Sequence, residues 1–432
     1  HSVPSPKEIA QSVRVFTRKH NSWFRDSIPL IASENVMSPL AREVMNSDLH
    51  NRYAEGLPGK RYYQGNIFVD EIEELCESLA KEVFSCSFAD VRPTSGTVCN
   101  LAVLMAIAKP RDKMTTVALS DGGHISHAKI GATGLRGVRT FNYPFDEETM
   151  NLDVAGTKRL IREVKPQVAL FGQSVYLFPT PLDEIRDVFD EVGCRTWYDA
   201  AHVLGLIAGK KFQDPLRQGM DVVSGSTHKT LPGPQHGVIL SDLAKEGLEP
   251  ALRRGVFPGV TSNHHLHSVA ALAVTLAETK EFGEAYADQT VRNAKALAQA
   301  LHSRGMDVLC ERHGFTESHT LVVDVEEFRG GAKVAKALES ANIIVNKNLL
   351  PWDSDPVRPS GIRLGSQEVT RLGMKEKDMD SVAELIARVA KGEDPSRVKD
   401  DATRLKSGFT KVHYCFFEGE EAYDYPSYDG DL

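Results

Sequence analysis

The sequence has no long hydrophobic run. No stretch approaches the roughly 20 apolar residues that a membrane-spanning helix needs, and the opening residues carry no hydrophobic core of the signal-peptide kind. A soluble, cytoplasmic protein is therefore expected. Excess positive charge is also missing. With 51 Lys and Arg against 59 Asp and Glu, the net charge is -8 and the pI about 6.0, which leaves no basic footprint for nucleic acid or an anionic membrane. A small-molecule partner is expected instead. Cysteine is sparse and scattered. Cys76, Cys86, Cys99, Cys194, Cys310 and Cys415 include no close pair that resembles a zinc site or a redox dithiol. No metal is expected, and the thiols read as reduced and mostly structural. Internal repeats and low-complexity segments are absent, and a charged content of 25% is ordinary for a soluble protein. His1 and Ser2 read as an addition ahead of Val3.

A chain of 432 residues is long enough for two domains with a sizeable core. Amphipathic helical stretches alternate with short β-rich runs, which predicts an α/β architecture with a mainly parallel or mixed sheet. From Val69 to Phe84, Ile72, Leu75, Leu79 and Val83 recur at helical spacing while Glu71, Glu73, Glu74, Glu77 and Lys81 fill the other face. Strands are predicted at Thr115 to Leu119, Val138 to Asn142, Gln167 to Phe171, Cys194 to Asp199, Asp221 to Ser224 and Gly237 to Leu240. A long helical pattern from Leu266 to His302 leads into a second set with strands at Thr320 to Val325 and Ile343 to Asn346. The expected division is an N-terminal arm over 1-55, a large domain over 56-279 and a small C-terminal α/β domain over 280-432. The acidic, Tyr-rich tail after Gly419 reads as irregular and poorly ordered.

The chemistry-bearing residues concentrate around Ser226-Thr227-His228-Lys229-Thr230. Thirty residues earlier, an apolar run closes on Asp199, with His202 three positions on. A lysine that can be desolvated forms a Schiff base with an aldehyde cofactor, and a carboxylate at a strand end holds a pyridine nitrogen protonated. Together they point to a pyridoxal 5'-phosphate site, although either alone reads equally as a surface charge or a helix cap. Thr94-Ser95-Gly96-Thr97 opens an apolar helical run, Val98 to Ala108, whose first amides suit a phosphate; the same residues suit a plain cap. In Asp121 to His127, two glycines allow close backbone approach and His124 can stack on a flat ring, or the segment is simply a loop. Arg363 sits within the apolar pattern Ser360 to Gly365. An unpaired charge there is costly, so it reads as a bidentate carboxylate ligand or as half of a structural ion pair.

These motifs, with Ile31 to Asn35, Arg52 to Gly65, Asp199 to Ala208, Thr227 to Gly237 and Asn346 to Asn348, resemble serine hydroxymethyltransferase, and most closely its archaeal branch. The archaeal likeness rests on Glu55 to Arg61, Gly225 to Lys229, Ser262 to His267 and Leu349 to Asp353. The resemblance implies a fold-type I, aspartate aminotransferase-like enzyme with a large mixed-sheet domain that binds the cofactor. It implies that Lys229 carries the Schiff base, Asp199 pairs with the pyridine nitrogen, His202 approaches the ring hydroxyl, His124 stacks on the ring and Ser174 lies near the ring oxygen. Ser95, Gly96 and Thr97 match the phosphate cradle, and Ser262 and Asn263 a phosphate loop reached from a partner subunit. Arg363 and Ser33 would hold the substrate carboxylate, with His202 beside them. Tyr53 and Glu55 would come from the neighbouring subunit of a homodimer, with Tyr63 and His228 in the same catalytic set. Leu119, Gly123 and Asn348 match contacts to a reduced pterin, the co-substrate that accepts a one-carbon unit from serine to leave glycine.

Several positions depart from the common bacterial pattern. Gln235 stands where Arg is usual, His236 replaces a glycine, Thr261-Ser262-Asn263-His264 replaces Gln-Gly-Gly-Pro, and Asp121 replaces a histidine. With the archaeal likeness, these changes imply tetrahydromethanopterin as an alternative to tetrahydrofolate. Two other activities compete on the same scaffold: an aldolase or transaldolase acting on threonine or another β-hydroxy amino acid without a pterin, and a non-catalytic binding protein. Glu55, Tyr63 and Asn348 favour the transferase over the first, and Lys229, Asp199 and Arg363 argue against the second.

Overall fold

The computed structural model describes residues 3-432; His1 and Ser2, read above as an addition, lie outside it. Seven strands form the main sheet: β1 (Phe88–Asp90), β2 (Lys113–Thr116), β3 (Arg139–Asn142), β4 (Val168–Phe171), β5 (Arg195–Asp199), β6 (Val222–Ser226) and β7 (Gly237–Ser241). Their order is β1-β7-β6-β5-β4-β2-β3, and only β7 runs antiparallel to its neighbours. The sheet is therefore mixed but mostly parallel, as expected. Because side chains alternate across a strand, neighbouring residues enter different cores. Ala169, Phe171, Tyr198, Val223 and Leu240 pack on one face, while Val168, Leu170, Trp197, Val222 and Ile239 pack on the other. Burial on both faces explains why β4 and β7 read as continuous apolar runs.

A third core holds the C-terminal half together. It joins Leu321 and Val323 of Thr320–Asp324 and Ile362 and Leu364 of Gly361–Gly365 to Val382 and Ile386 of the helix Glu376–Ala390. These two strands belong to a four-stranded antiparallel sheet completed by Asp307–Val308 and Asn346–Asn348. The helix Leu266–Ser303 runs 38 residues without a break through residue 280. Its Leu272 and Leu276 enter the main-sheet core and its Leu297 and Leu301 the third core.

Three predicted elements differ from the structure. The run Ile343 to Asn346 divides into Ile343–Ile344, which pairs in parallel with Ile28–Pro29, and Asn346–Asn348, which pairs with the Arg363 strand. The strand expected to reach Leu119 stops at Thr116, because Leu119–Asp121 forms a 3-10 turn closed by Gly122 at φ +96°. The tail has no regular element, as read, yet it is docked rather than loose. Ala422 is fully buried, Tyr423 donates to Glu368 Oε2 at 2.8 Å, and Arg42 donates to the carbonyls of Glu421 and Ala422.

Candidate active site

Asp199 ends β5 and Lys229 follows β6, its neighbour in the sheet, so both lie at carboxyl ends of parallel strands. In open α/β sheets that edge is where ligands bind. The segment carrying Lys229 is fixed by its own polar side chains. Thr227 Oγ1 donates to the Pro234 carbonyl at 2.7 Å, Thr230 Oγ1 to the His202 carbonyl at 2.7 Å, and Asn35 Nδ2 to the Lys229 carbonyl at 2.8 Å. Lys229 Nζ donates to Ser226 Oγ at 2.7 Å. Burial lowers its amine to about 8, with Asp199 opposing the shift and Arg363 adding to it.

The buried Asp199 carboxylate accepts from His127 Nε2 at 2.7 Å, Asn100 Nδ2 at 3.0 Å and the Ala201 amide at 2.9 Å. Burial alone would raise its pKa, but the hydrogen bond and charge of His127, with help from His124, hold it well below the usual carboxylate range. Asn100 also donates to Ser126 Oγ at 2.9 Å and accepts from Ser224 Oγ at 2.9 Å. His124 Nδ1 lies 2.6 Å from Ser126 Oγ and accepts the Ser126 amide at 3.1 Å. Burial lowers the pKa of His124 and, far more strongly, of His202, which Arg363 and Lys229 depress further. Both rings are therefore biased toward the neutral form. His202 is stacked on His319 at 5.7 Å, and its Nδ1 is buried without a partner.

Ser95 caps the helix Gly96–Ile107 by accepting the Val98 amide at 3.1 Å. The amides of Gly96 and Thr97 precede the first intrahelical bond and are free for an anion. A Cβ on Gly96 would stand 3.1 Å from Ser226 Cβ, so this helix start presses against the strand end that leads to Lys229.

Arg363 lies on the Gly361–Gly365 strand. Its Nη1 donates to the Ser174 carbonyl at 2.8 Å and its Nε to Asn346 Oδ1 at 3.2 Å. Burial lowers it to about 10, and no carboxylate among the described residues forms an ion pair with it. The structural ion pair left open by the sequence is thus excluded. The Ser33 loop is tied to the same strand end, since the Gly365 amide donates to the Leu30 carbonyl and Gln367 Nε2 to the carbonyls of Ile31 and Glu34.

The remaining residues fall into separate groups. Tyr53, Glu55, Tyr63, Ser262 and Asn263 form a cluster of their own: Ser262 Oγ donates to Glu55 Oε1 at 2.7 Å, the Tyr53 hydroxyl lies 3.1 Å from Ser262 Oγ, and the Tyr53 and Tyr63 rings are 4.7 Å apart. Among the described residues, no hydrogen bond joins this cluster to Lys229, Asp199 or Arg363. Asn263 spends both ends of its amide on the Arg52 carbonyl and the Ala54 amide. Leu119 is exposed, Gly123 is so close to the chain that a Cβ would sit 2.3 Å from the Val117 carbonyl oxygen, and Asn348 is half-buried opposite Gly361. His228 lines a cleft with Ser33, Glu34 and Gln235, its ring lowered to about 4 by burial and then by Lys229. The reading from sequence missed Asn100 and His127 as partners of Asp199, and Asn35 and Thr230 as supports of Lys229. The only signal for His127 was its place three residues after His124.

The serine hydroxymethyltransferase family profile matches residues 7–386. The chain belongs to the serine hydroxymethyltransferase family. Proteins named serine hydroxymethyltransferase are 56% identical over 419 residues in Thermoplasma volcanium and 52% identical over 421 residues in Methanocaldococcus jannaschii. These matches cover 96% of this chain in both cases, and 98% and 97% of the respective relatives. The family's members are fold-type I enzymes that depend on pyridoxal phosphate and use a pterin co-substrate, so this chain is an enzyme of that type. The residues present fit the cofactor: a desolvated lysine amine, an ionised carboxylate in the next strand, two imidazoles biased toward the neutral form and a helix start with free amides. Among the described residues, no helix is long and apolar enough to cross a membrane.

Proposed function

We propose that the enzyme reversibly transfers the hydroxymethyl group of serine to a reduced pterin, tetrahydromethanopterin or tetrahydrofolate, and leaves glycine. The observation that carries this reading is Arg363, a buried guanidinium with no carboxylate partner beside an amine lowered to about 8. A buried cation without a counter-ion is costly, and a substrate carboxylate supplies one in the geometry guanidinium favours.

When bound, pyridoxal phosphate supplies an aldehyde for a primary amine and an electron-poor ring that stabilises charge at the substrate α-carbon. Lys229 would attach it, Ser95, Gly96 and Thr97 would hold its phosphate, and Ser262 and Asn263 of a second subunit would reach that phosphate. The fixed, ionised Asp199 would keep a proton on the ring nitrogen. His124 would stack on the ring, with His202 and Ser174 at its oxygen. Arg363 and Ser33 would grip the amino-acid carboxylate and so turn the bond between the α and β carbons perpendicular to the ring. Glu55 would move the proton at the serine hydroxyl oxygen and at the pterin, with Tyr53, Tyr63 and His228 around the reacting groups. Leu119, Gly123 and Asn348 would border the pterin.

The separation of the Glu55 cluster from Lys229 supports a homodimer with shared sites. Ile67 and Phe68, both 74% exposed, and Tyr62 and Leu75 leave apolar surface beside that cluster, which a second copy would cover. The division into arm, large domain and small domain at residues 55 and 279 belongs to the same proposal, with Leu266–Ser303 as the shared helix.

Arg363→Lys tests the substrate assignment, because an ammonium cannot make the paired contact. The KM for serine is expected to rise at least about tenfold, the scale of one lost charged hydrogen bond, with cofactor absorbance unchanged. An unaltered KM would refute the role.

A further inference from the structure

The loop that carries Glu55 is clamped from beneath by charges that no step above uses. Glu73 is 1% exposed on the helix Ile67–Phe84. Its Oε2 accepts from Arg61 Nη2 at 2.9 Å and its Oε1 lies 2.5 Å from His264 Nε2. The Arg61 and His264 side chains are also almost fully buried. Arg61 Nη1 donates to the carbonyls of Ala54 and Gly56, at 2.9 and 3.0 Å, so it fixes the chain on both sides of Glu55. Arg61 Nε is held in turn by Asp70 at 2.8 Å. On the other arm, His264 follows Ser262 and Asn263; the first donates to Glu55 Oε1 and the second holds the Ala54 amide.

One buried carboxylate therefore ties down both segments that touch Glu55, its own loop through Arg61 and the Ser262 loop through His264. Burying three ionisable side chains is a poor route to stability, because desolvation offsets most of the attraction. The same arrangement fixes geometry well, since Arg61 and His264 meet separate oxygens of Glu73 and the backbone of Glu55 is caught from both sides. His264 stands where the common bacterial pattern has proline, which cannot donate from a side chain. We propose that Arg61, Glu73 and His264 are positioning residues that set the Glu55 carboxylate for proton transfer in the hydroxymethyl transfer, the His264 arm being a feature of this chain's own Thr261 to His264 segment. The inference rests on the role given to Glu55 above.

The test is a double-mutant cycle on the holoenzyme between His264→Leu, which removes the donor, and Glu55→Gln. For His264→Leu, serine turnover with tetrahydrofolate is expected to fall about tenfold or more in kcat, while cofactor absorbance stays unchanged. Amide hydrogen exchange over residues 52-62 is expected to quicken. His264→Gln, which can still donate to Glu73, should recover most of the rate. If His264 acts through Glu55, its loss adds nothing in the Glu55→Gln background. An equal fall in both backgrounds, or wild-type kcat in His264→Leu, would overturn the proposal. Wild-type kcat in Glu55→Gln would instead refute the role of Glu55 itself. Should His264→Leu fail to fold, Glu73→Gln carries the same cycle with the same two outcomes.

Discussion

Asp199 is buried and Lys229 half-buried, and the two end in opposite electrostatic states. Burial disfavours charge in both. It prevails at Lys229, which has one hydroxyl partner, and loses at Asp199, which has three donors including His127. The consequence at Lys229 is measurable, because condensation with an aldehyde needs the uncharged amine. With the amine at about 8, cofactor capture by the cofactor-free protein is expected to rise about tenfold per pH unit below that point and to level off above it. Stopped-flow absorbance at a series of pH values reads this. A rate still climbing toward pH 10, as for an ordinary lysine near 10.4, would contradict the account. Asp199 and Arg363 were legible in the sequence as charged residues at the end of or inside an apolar pattern, and Lys229 through the polar segment Ser226 to Thr230 that follows Asp199 by thirty residues. Asn100 was not, because a neutral amide in a helix carries no such signal, and only folding brings Asp199, Ser126 and Ser224 around it.

The helix Ile67–Phe84 shows where element-level reading reached its limit. Its existence and end follow from periodicity, yet its buried stripe is Val69, Glu73, Cys76, Ala80 and Phe84. Of the predicted face, Ile72, Leu79 and Val83 are half-buried against the main-sheet core, whereas Leu75 is exposed. Glu73 turns inward because Arg61 and His264, distant in sequence, meet it there, and spacing alone cannot show that. The tail was misjudged for the same reason. Tyr423, in a run that reads as irregular and poorly ordered, supplies the one hydrogen bond that the Glu368 carboxylate receives among the described residues, and burial pushes that carboxyl up to about 7. Tyr423→Phe is expected to cost about 1–3 kcal/mol in unfolding free energy, the scale for a buried acceptor left unpaired. The loss should be larger at pH 8 than at pH 5.5, because the hydrogen bond favours the ionised carboxylate, which forms above about pH 7. Denaturant titration at both pH values checks this, and an equal loss at both would argue against it.

At the scale of the whole molecule, six of the seven main-sheet strands were readable from the sequence and Phe88–Asp90 was not, nor were the strand order and the sharing of one helix between cores. The unlinked Glu55 cluster also takes on meaning only at this scale. If one subunit supplies Lys229 and its partner Glu55, a mixture of Lys229→Ala subunits, inactive alone, and Glu55→Gln subunits, which keep only a small residual rate, should regain activity on co-expression. Each hybrid dimer then holds one site with both residues intact. No recovery, with hybrids shown to form, would place each site within a single chain. The central claim is that one site couples glycine to a reduced pterin. The measurement that tests it most directly is the exchange of the glycine α-proton with solvent, followed by NMR without pterin, with tetrahydrofolate and with tetrahydromethanopterin. Strong acceleration by either pterin is the expected result, and the larger effect identifies the carrier. No acceleration by either, with the cofactor bound, would contradict the account.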